Sequence, residues 1–299
     1  MKTLIINGRI IHDYAPCYVI AELGGNHGGD LQTALTMIRM ASRAGVDAVK
    51  LQTRTNDRLY TSESLARPYH SENSYGPTYG AHRAALEFND EQLRVCQETA
   101  EEEALTCFST AFDEWAVDRL MRHHVPAIKI HSGGLTDEPL LKHAGQQGVP
   151  LIVSTGAGSL SDIDHAHELL SGVPHAFLHC TASYPLQPTE ANLRVISMLR
   201  ERYPDTVIGF SSHAPGIHLS LVAYALGARI IEHHVTLNRA SKGTDHAFSL
   251  EPKGLETLVS DLESCRLALG TGKKECYPSE VAPISKMRRV QTPEGWRIP

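Results

Sequence analysis

LIVSTGAGSLSDIDHAHELLSGVPHAFLHC, residues 151–180, reads as a strand, a turn, a helix and a second strand. Leu151–Ser154 and Ala176–Cys180 are short, mainly apolar runs, and Asp162–Leu170 between them carries apolar residues at helical spacing. A strand apolar along both faces is covered on both, so two of them joined by a helix form the parallel unit of an α/β sheet. The unit recurs in both directions. Further strands are expected at Tyr18–Leu23, Ala48–Gln52, Thr106–Ser109, Ala127–Ile130, Val207–Phe210 and Arg229–Glu232. Helices are expected at Leu31–Arg43, Asp90–Glu103, Glu114–His123, Leu140–Gln147, Ala191–Arg202, Gly216–Ala225 and Pro252–Leu269. Eight strands alternating with eight helices predict an α/β fold of the (β/α)8 TIM-barrel type, and the count disfavours the alternative, a doubly wound sheet.

Outside this rhythm, Thr3–Ile6 and Arg9–Ile11 flank Asn7-Gly8, the signature of a tight hairpin. The expected organisation is therefore an N-terminal hairpin over residues 1–16, a barrel over 17–270 and an extended C-terminal tail over 271–299. A length of 299 residues suits one large barrel or two domains, and 41% hydrophobic with 21% charged residues is ordinary for a soluble globular chain. With 34 acidic against 28 basic residues and no basic stripe, nucleic acid is a poor partner. The apolar start of MKTLIINGRI is too short to span a membrane and lacks a cleavage site. Six cysteines (17, 96, 107, 180, 265 and 276) contain no CxxC pair, which predicts reduced, buried thiols, a cytoplasmic location and no zinc knuckle.

Chemistry in such a barrel gathers at the carboxyl ends of the strands. Those ends read Glu22; Lys50 and Gln52; Ser109 and Thr110; Lys129, His131 and Ser132; Ser154 and Thr155; Thr181 and Tyr184; Ser211, Ser212 and His213; Glu232, His233 and His234. Any single hydroxyl here could equally be a helix N-cap. The two lysines are more telling, because they repel unless an anion or an acidic partner lies between them, and Glu22 could neutralise only one. Together they predict a small anion site. His213 and His234 fall on neighbouring strands and could converge on one divalent cation, with positions left open for water or substrate oxygen, whereas His233 alternates to the outer face. The Gly24–Gly29 run permits close backbone approach, or is simply a turn before a helix capped by Asp30. Two insertions, Arg54–Phe88 and Thr236–Glu251, are expected to be substrate-covering loops.

At these residues the chain resembles the sialic acid synthase (NeuB-like) family, the phosphoenolpyruvate-condensing enzymes that make N-acetylneuraminate and related nonulosonic acids. The resemblance rests on AELGGNHGGD (21–30), DAVKLQT (47–53), CFSTAF (107–112), IKIHSG (128–133), VSTGA (153–157), LHCTASYPLQP (178–188), GFSSHAPG (209–216), EHHVTL (232–237) and KGTDHAFSLEP (242–252). The stretch RPYHSENSYGPTYGAH (67–82) is closer to the animal-type 9-phosphate synthases. It implies that Lys50, Thr110, Lys129, Ser132, Ser154 and Ser211 hold phosphoenolpyruvate. It likewise implies that His213 and His234 hold Mn²⁺ or Mg²⁺, which polarises the aldehyde of an open-chain N-acetylmannosamine, its 6-phosphate or a related aldose. Glu22 would orient water or metal; Gln52, Asn73, Tyr184 and Asp245 would contact the sugar; a homodimer is a possible partner state.

Three departures stand out. Where the family has a carboxylate after Ser-Gly, this chain reads Ser132-Gly133-Gly134, which leaves His131, itself in place of a glycine, Asp137 or the substrate phosphate to take over its proton handling. Ala182 replaces a polar residue. The appended C-terminal domain that supplies an arginine in relatives has no counterpart up to residue 299, and Arg288, Arg289 and Arg297 are its only stand-ins. These departures keep open a different aldehyde acceptor or a non-catalytic ligand-binding relative; a two-histidine hydrolase would leave the lysines idle.

Overall fold

Eight strands close into an all-parallel barrel: β3 (Tyr18–Glu22), β4 (Ala48–Thr53), β5 (Thr106–Ala111), β6 (Ile128–Ile130), β7 (Leu151–Ser154), β8 (His175–Cys180), β9 (Val207–Ser212) and β10 (Ile230–His234), with β10 pairing back onto β3. The computed structural model describes residues 2–298. Before the barrel, β1 (Leu4–Ile6) and β2 (Arg9–Ile11) form an antiparallel hairpin. The barrel is the predicted one, but β4, β5, β9 and β10 run one or two residues past the carboxyl ends of their expected stretches, whereas β3 and β6 are one residue shorter than expected. β10 continues through His234, whose Cα pairs with Glu22, because backbone pairing in a closed barrel ignores the polarity of the side chain.

The helices that follow the strands are α1 (Leu31–Ala44), α5 (Asp90–Glu102), α6 (Glu114–Arg122), α7 (Glu138–Gly145), α8 (Leu160–Leu169), α9 (Arg194–Arg202), α10 (His218–Ala225) and α11 (Pro252–Leu269). Five of them, α1 and α5–α8, are capped locally by Asp30, Asn89, Asp113, Asp137 and Ser159, whereas α9 and α10 have no side-chain cap. Thr110, Ser154 and Ser211 cap nothing, which leaves their hydroxyls for the barrel mouth. α7 starts two residues earlier than its apolar spacing suggests, because Asp137 caps it and Pro139 occupies its first turn.

The first insertion is not a plain loop: it holds α2 (Asn56–Leu59), α3 (Ser62–Ala66) and α4 (Tyr79–Leu86). The end of α4 lies so close to the first barrel loop that a Cβ on Gly29, at φ +80°, would fall 2.0 Å from the Ala85 carbonyl oxygen. The glycine run therefore does serve close approach. Asn26 in the same loop donates to the Val235 carbonyl and the Ser249 hydroxyl, fastening the second insertion to the barrel rim.

Residues 266–299 make up a second unit, and the tail is not extended throughout. It contains α12 (Pro278–Ser285) and a hairpin of β11 (Val290–Thr292) and β12 (Gly295–Arg297). Proline at the start of a helix is favourable, so the proline-rich composition misleads there. All six thiols are free, but Cys276 is exposed and Cys265 only half-buried, against the expectation of burial. No helix among the described residues is long and apolar enough to cross a membrane.

Candidate active site

Strand alternation sorts the barrel interior into layers. Ile20, Phe108, Ile152, Leu178 and Ile230, all buried, form an apolar floor. Two residues further along their strands come Glu22, Thr110, Ser154, Cys180 and Glu232, joined by Lys50, Lys129 and Ser211; two further again come Gln52, Phe112, His131, Ala182, His213 and His234. These two upper layers line a cavity of about 420 Å³ together with Arg54, Arg83, Tyr184 and Asp245. That volume suits one or two small metabolites.

In the lower layer, Lys50 and Lys129 are each 2% exposed. Lys50 Nζ lies 2.5 Å from Glu22 Oε2 and 3.5 Å from Glu232 Oε1, and donates to Thr110 Oγ1 at 2.7 Å. Lys129 Nζ donates to Ser154 Oγ at 2.5 Å and to the Ile130 carbonyl at 3.0 Å, with no carboxylate within 4.0 Å among the described residues. Burial pulls both ammonium groups down; around Lys50 the two carboxylates more than offset this, whereas Lys129 stays lowered. The carboxyls divide the same way. Burial pushes Glu22 up to about 6 despite Lys50, while at Glu232 burial is outweighed by Lys50 and Lys129, which hold it at about 2. Ser211 donates to Glu232 Oε1 at 3.3 Å.

In the upper layer, His213 Nδ1 donates to the Thr181 carbonyl at 3.0 Å, which leaves its Nε2 lone pair free. His234 Nδ1 is buried, has no hydrogen-bond partner among the described residues and lies 3.6 Å from Asp245 Oδ2. The two rings are 5.4 Å apart between centroids. No group of three or more His, Cys, Asp or Glu among the described residues is arranged to hold a metal. The fit is instead to a cation taking two imidazoles and completing its shell with water or substrate oxygen: neighbouring rings carry one buried nitrogen without a hydrogen bond and one free lone pair, with the Asp245 carboxylate beside them. Gly24 makes room for them, since its Cβ would lie 3.2 Å from His234 Nδ1.

His131 accepts from the Gly133 backbone at Nδ1, so Nε2 carries the proton of its neutral ring. Burial, followed by Lys129, Arg54 and Lys50, holds its pKa down at about 4. The ring stacks on Phe112 at 4.3 Å, and the Arg54 guanidinium lies 3.6 Å from the same Phe112 centroid. Gly134 is buried outside the cup, where a Cβ would fall 2.7 Å from Ile130 Cγ2, so the missing carboxylate leaves no vacant slot. Ser132 Oγ accepts from the Gly156 backbone at the cup's edge.

The predicted sugar contacts separate. Gln52, Tyr184 and Asp245 line the cup, with Gln52 engaged at both ends: Nε2 donates to Glu22 Oε1 at 2.8 Å and Oε1 accepts from Arg54 at 2.6 Å. The Tyr184 ring packs against His213 at 4.1 Å between centroids, tilted by 36°. Asn73 does not line the cup. Its Oδ1 accepts from the Gly243 backbone, tying one insertion to the other. Arg288, Arg289 and Arg297 belong to the second unit. Sequence reasoning put Glu232 at a strand end without giving it a role, and passed over Phe112, Arg54 and Arg83. The first two were within reach of strand parity, since Glu232 precedes His234 by two and Phe112 follows Thr110 by two. His233, between Glu232 and His234 on the strand, turns the other way, and its Nε2 donates to the Gly216 carbonyl at 3.1 Å, away from the cup.

The NeuB family model matches residues 37–274. The chain is 40% identical over 295 residues to N-acetylneuraminate-9-phosphate synthase of Homo sapiens, covering 96% of this chain and 82% of that protein. It is 32% identical over 286 residues to N,N'-diacetyllegionaminic acid synthase of Legionella pneumophila, covering 92% and 80%. Among solved structures, the N-acetylneuraminic acid synthetase of Leptospira borgpetersenii, in complex with citrate, superposes with a TM-score of 0.83 at 33% identity over 95% of each chain.

Proposed function

The chain belongs to the NeuB family, and on that premise we propose that its barrel, residues 17–270, condenses phosphoenolpyruvate with an N-acylated aldose to give a nonulosonic acid and phosphate. The observation that carries this reading is that Lys50 and Lys129 share one closed layer with three hydroxyls, beneath two imidazoles 5.4 Å apart. A trianionic enol ester suits the lysines, and an aldehyde suits the site above them.

In this scheme Lys129, Ser154, Ser132, Ser211, Thr110 and Lys50 hold the phosphate and carboxylate of phosphoenolpyruvate against the apolar floor. Carbon 3 of the enol ester bonds to the aldehyde carbon of the acceptor. Water adds at carbon 2, and phosphate departs with C–O cleavage, so one water is consumed per product. His213 and His234, backed by Asp245, would hold Mn²⁺ or Mg²⁺, whose contribution is Lewis-acid polarisation of the aldehyde oxygen. Glu22, with its raised pKa, is suited to exchange a proton with the attacking water. His131 presents an Nε2–H into the cup and serves as donor where a carboxylic acid is expected by resemblance. Gln52 positions Glu22, and Tyr184 with Asp245 flanks the acceptor.

The test is direct. The protein is incubated with phosphoenolpyruvate, Mn²⁺ and a panel comprising N-acetylmannosamine, its 6-phosphate and other N-acylated aldoses. Sugar-dependent phosphate release with a product of matching mass is expected. No release with any acceptor removes the reading, and unchanged metal content in His213→Ala removes the metal assignment.

A further inference from the structure

Four cations line the cup, and their counter-charges are unequal. Lys50 has Glu22 and Glu232. Arg54 has Glu87, which accepts from its backbone nitrogen and its Nη1, both at 3.0 Å. Lys129 and Arg83 have no carboxylate within 4.0 Å among the described residues. Lys129 sits at the bottom of the cup, where the enol ester belongs. Arg83 belongs to α4 in the first insertion and reaches the cup from its covering side.

What holds Arg83 is aromatic rather than acidic. Its Nε donates to Tyr79 Oη at 3.0 Å, and its Cζ lies 5.1 Å from the Tyr79 ring centroid. Tyr79 Oη is in turn 3.4 Å from Tyr60 Oη, and their rings meet edge-on at 5.3 Å. Among the described residues neither terminal nitrogen has a hydrogen-bond partner. A half-buried guanidinium fixed along one edge, with its forked edge open to a cavity, is an arrangement made for a bidentate anion.

We propose that Arg83 is the docking residue for a phosphate monoester at the far end of the acceptor, and that it sets the preference for an aldose phosphate over the free aldose. Two unpaired cations at opposite levels of one cup match two anionic groups, one on each substrate. An acceptor with its aldehyde carbon at the His213–His234 level would extend its opposite end toward α4. Tyrosines suit the support role because they orient the guanidinium without neutralising it. This proposal rests on the condensation proposed above.

Binding distinguishes the two. The affinities of the ligand-free chain for N-acetylmannosamine 6-phosphate and for N-acetylmannosamine are measured by calorimetry on wild type, Arg83→Gln and Arg83→Lys, alongside steady-state kinetics with saturating phosphoenolpyruvate. The expected result is a wild-type preference for the phosphosugar that falls tenfold or more in Arg83→Gln and only partly in Arg83→Lys, with KM for the phosphosugar rising more than kcat falls. Equal loss for both sugars, no change, or no wild-type preference overturns the subsite. Arg83-dependent phosphosugar binding without any condensation would instead sink the catalytic reading and leave the subsite standing.

Discussion

Lys50 Nζ lies 2.5 Å from Glu22 Oε2, both side chains almost wholly buried. A lysine proposed to receive a substrate anion thus already carries a resident one, with Glu232 as a second at 3.5 Å. The pair satisfies the buried charges in the ligand-free chain, and an incoming anion must then compete with it. Glu22→Gln removes one competing charge while keeping an oxygen for Lys50 to donate to. Phosphoenolpyruvate is expected to bind about tenfold tighter, or ~1.4 kcal/mol, while turnover falls by roughly 10²–10⁴. Calorimetry and phosphate-release rates check both; weaker phosphoenolpyruvate binding would contradict the competition.

Lys129 shows the opposite bargain. Among the described residues its ammonium donates only to neutral oxygens, and burial lowers its pKa. Replacing such a group by an apolar one of similar length relieves an unpaired buried charge. Lys129→Met is expected to raise the thermal midpoint of the ligand-free chain, by the equivalent of about 1–2 kcal/mol, and to weaken phosphoenolpyruvate binding by at least about two orders of magnitude, as loss of a charge-assisted partner in a dry site implies. A lower midpoint in scanning calorimetry would rule this out.

His131 and Gly134 make a linked prediction. His131→Ala is expected to lower kcat by about 10²-fold or more. Gly134→Glu is not expected to restore it, because Ile130 Cγ2 and Leu140 Cδ2 stand 2.7 and 3.3 Å from where a Cβ would go. The added side chain should destabilise the fold by roughly 1–3 kcal/mol through overpacking. Recovery of activity in the double variant, measured beside urea melts, would return the proton-donor role to position 134.

Acid should weaken the fold through His27. Its ring is buried against Phe88, accepts from the Gly29 backbone, and is held by burial at about 4 against 6.5 in the unfolded chain. Above pH 6.5 neither state binds the proton. Between 6.5 and 4 only the unfolded state does, so stability falls as pH drops through that window. At pH 4 the loss amounts to about 3 kcal/mol. His27→Asn keeps an acceptor for Gly29 and titrates nothing there; denaturation curves from pH 7 to 4 should show a shallower decline than wild type, and parallel declines would refute the assignment.

Much of this was legible from the chain alone, because barrel strands are local objects. Apolar runs of four to six residues, helical spacing between them and caps such as Asp30 and Asp113 depend on near neighbours, and alternation by two decides which side chains share the interior. That is enough to assemble Lys50, Thr110, Lys129, Ser154, His213 and His234 in one cup. Partnerships across the barrel were not legible, because they depend on how separate strands come into register. Glu232 meets Lys50 only through closure of β10 onto β3, and Gly134 is walled in by Ile130 and Leu140 from different elements. Asn73 clasps Gly243 across 170 residues instead of facing the cup. Arg83 reaches the cavity from α4 and has no carboxylate within 4.0 Å among the described residues, Glu87 being hydrogen-bonded to Arg54 instead. Charge balance in a cavity is a sum over distant contributors, and only the folded chain performs it.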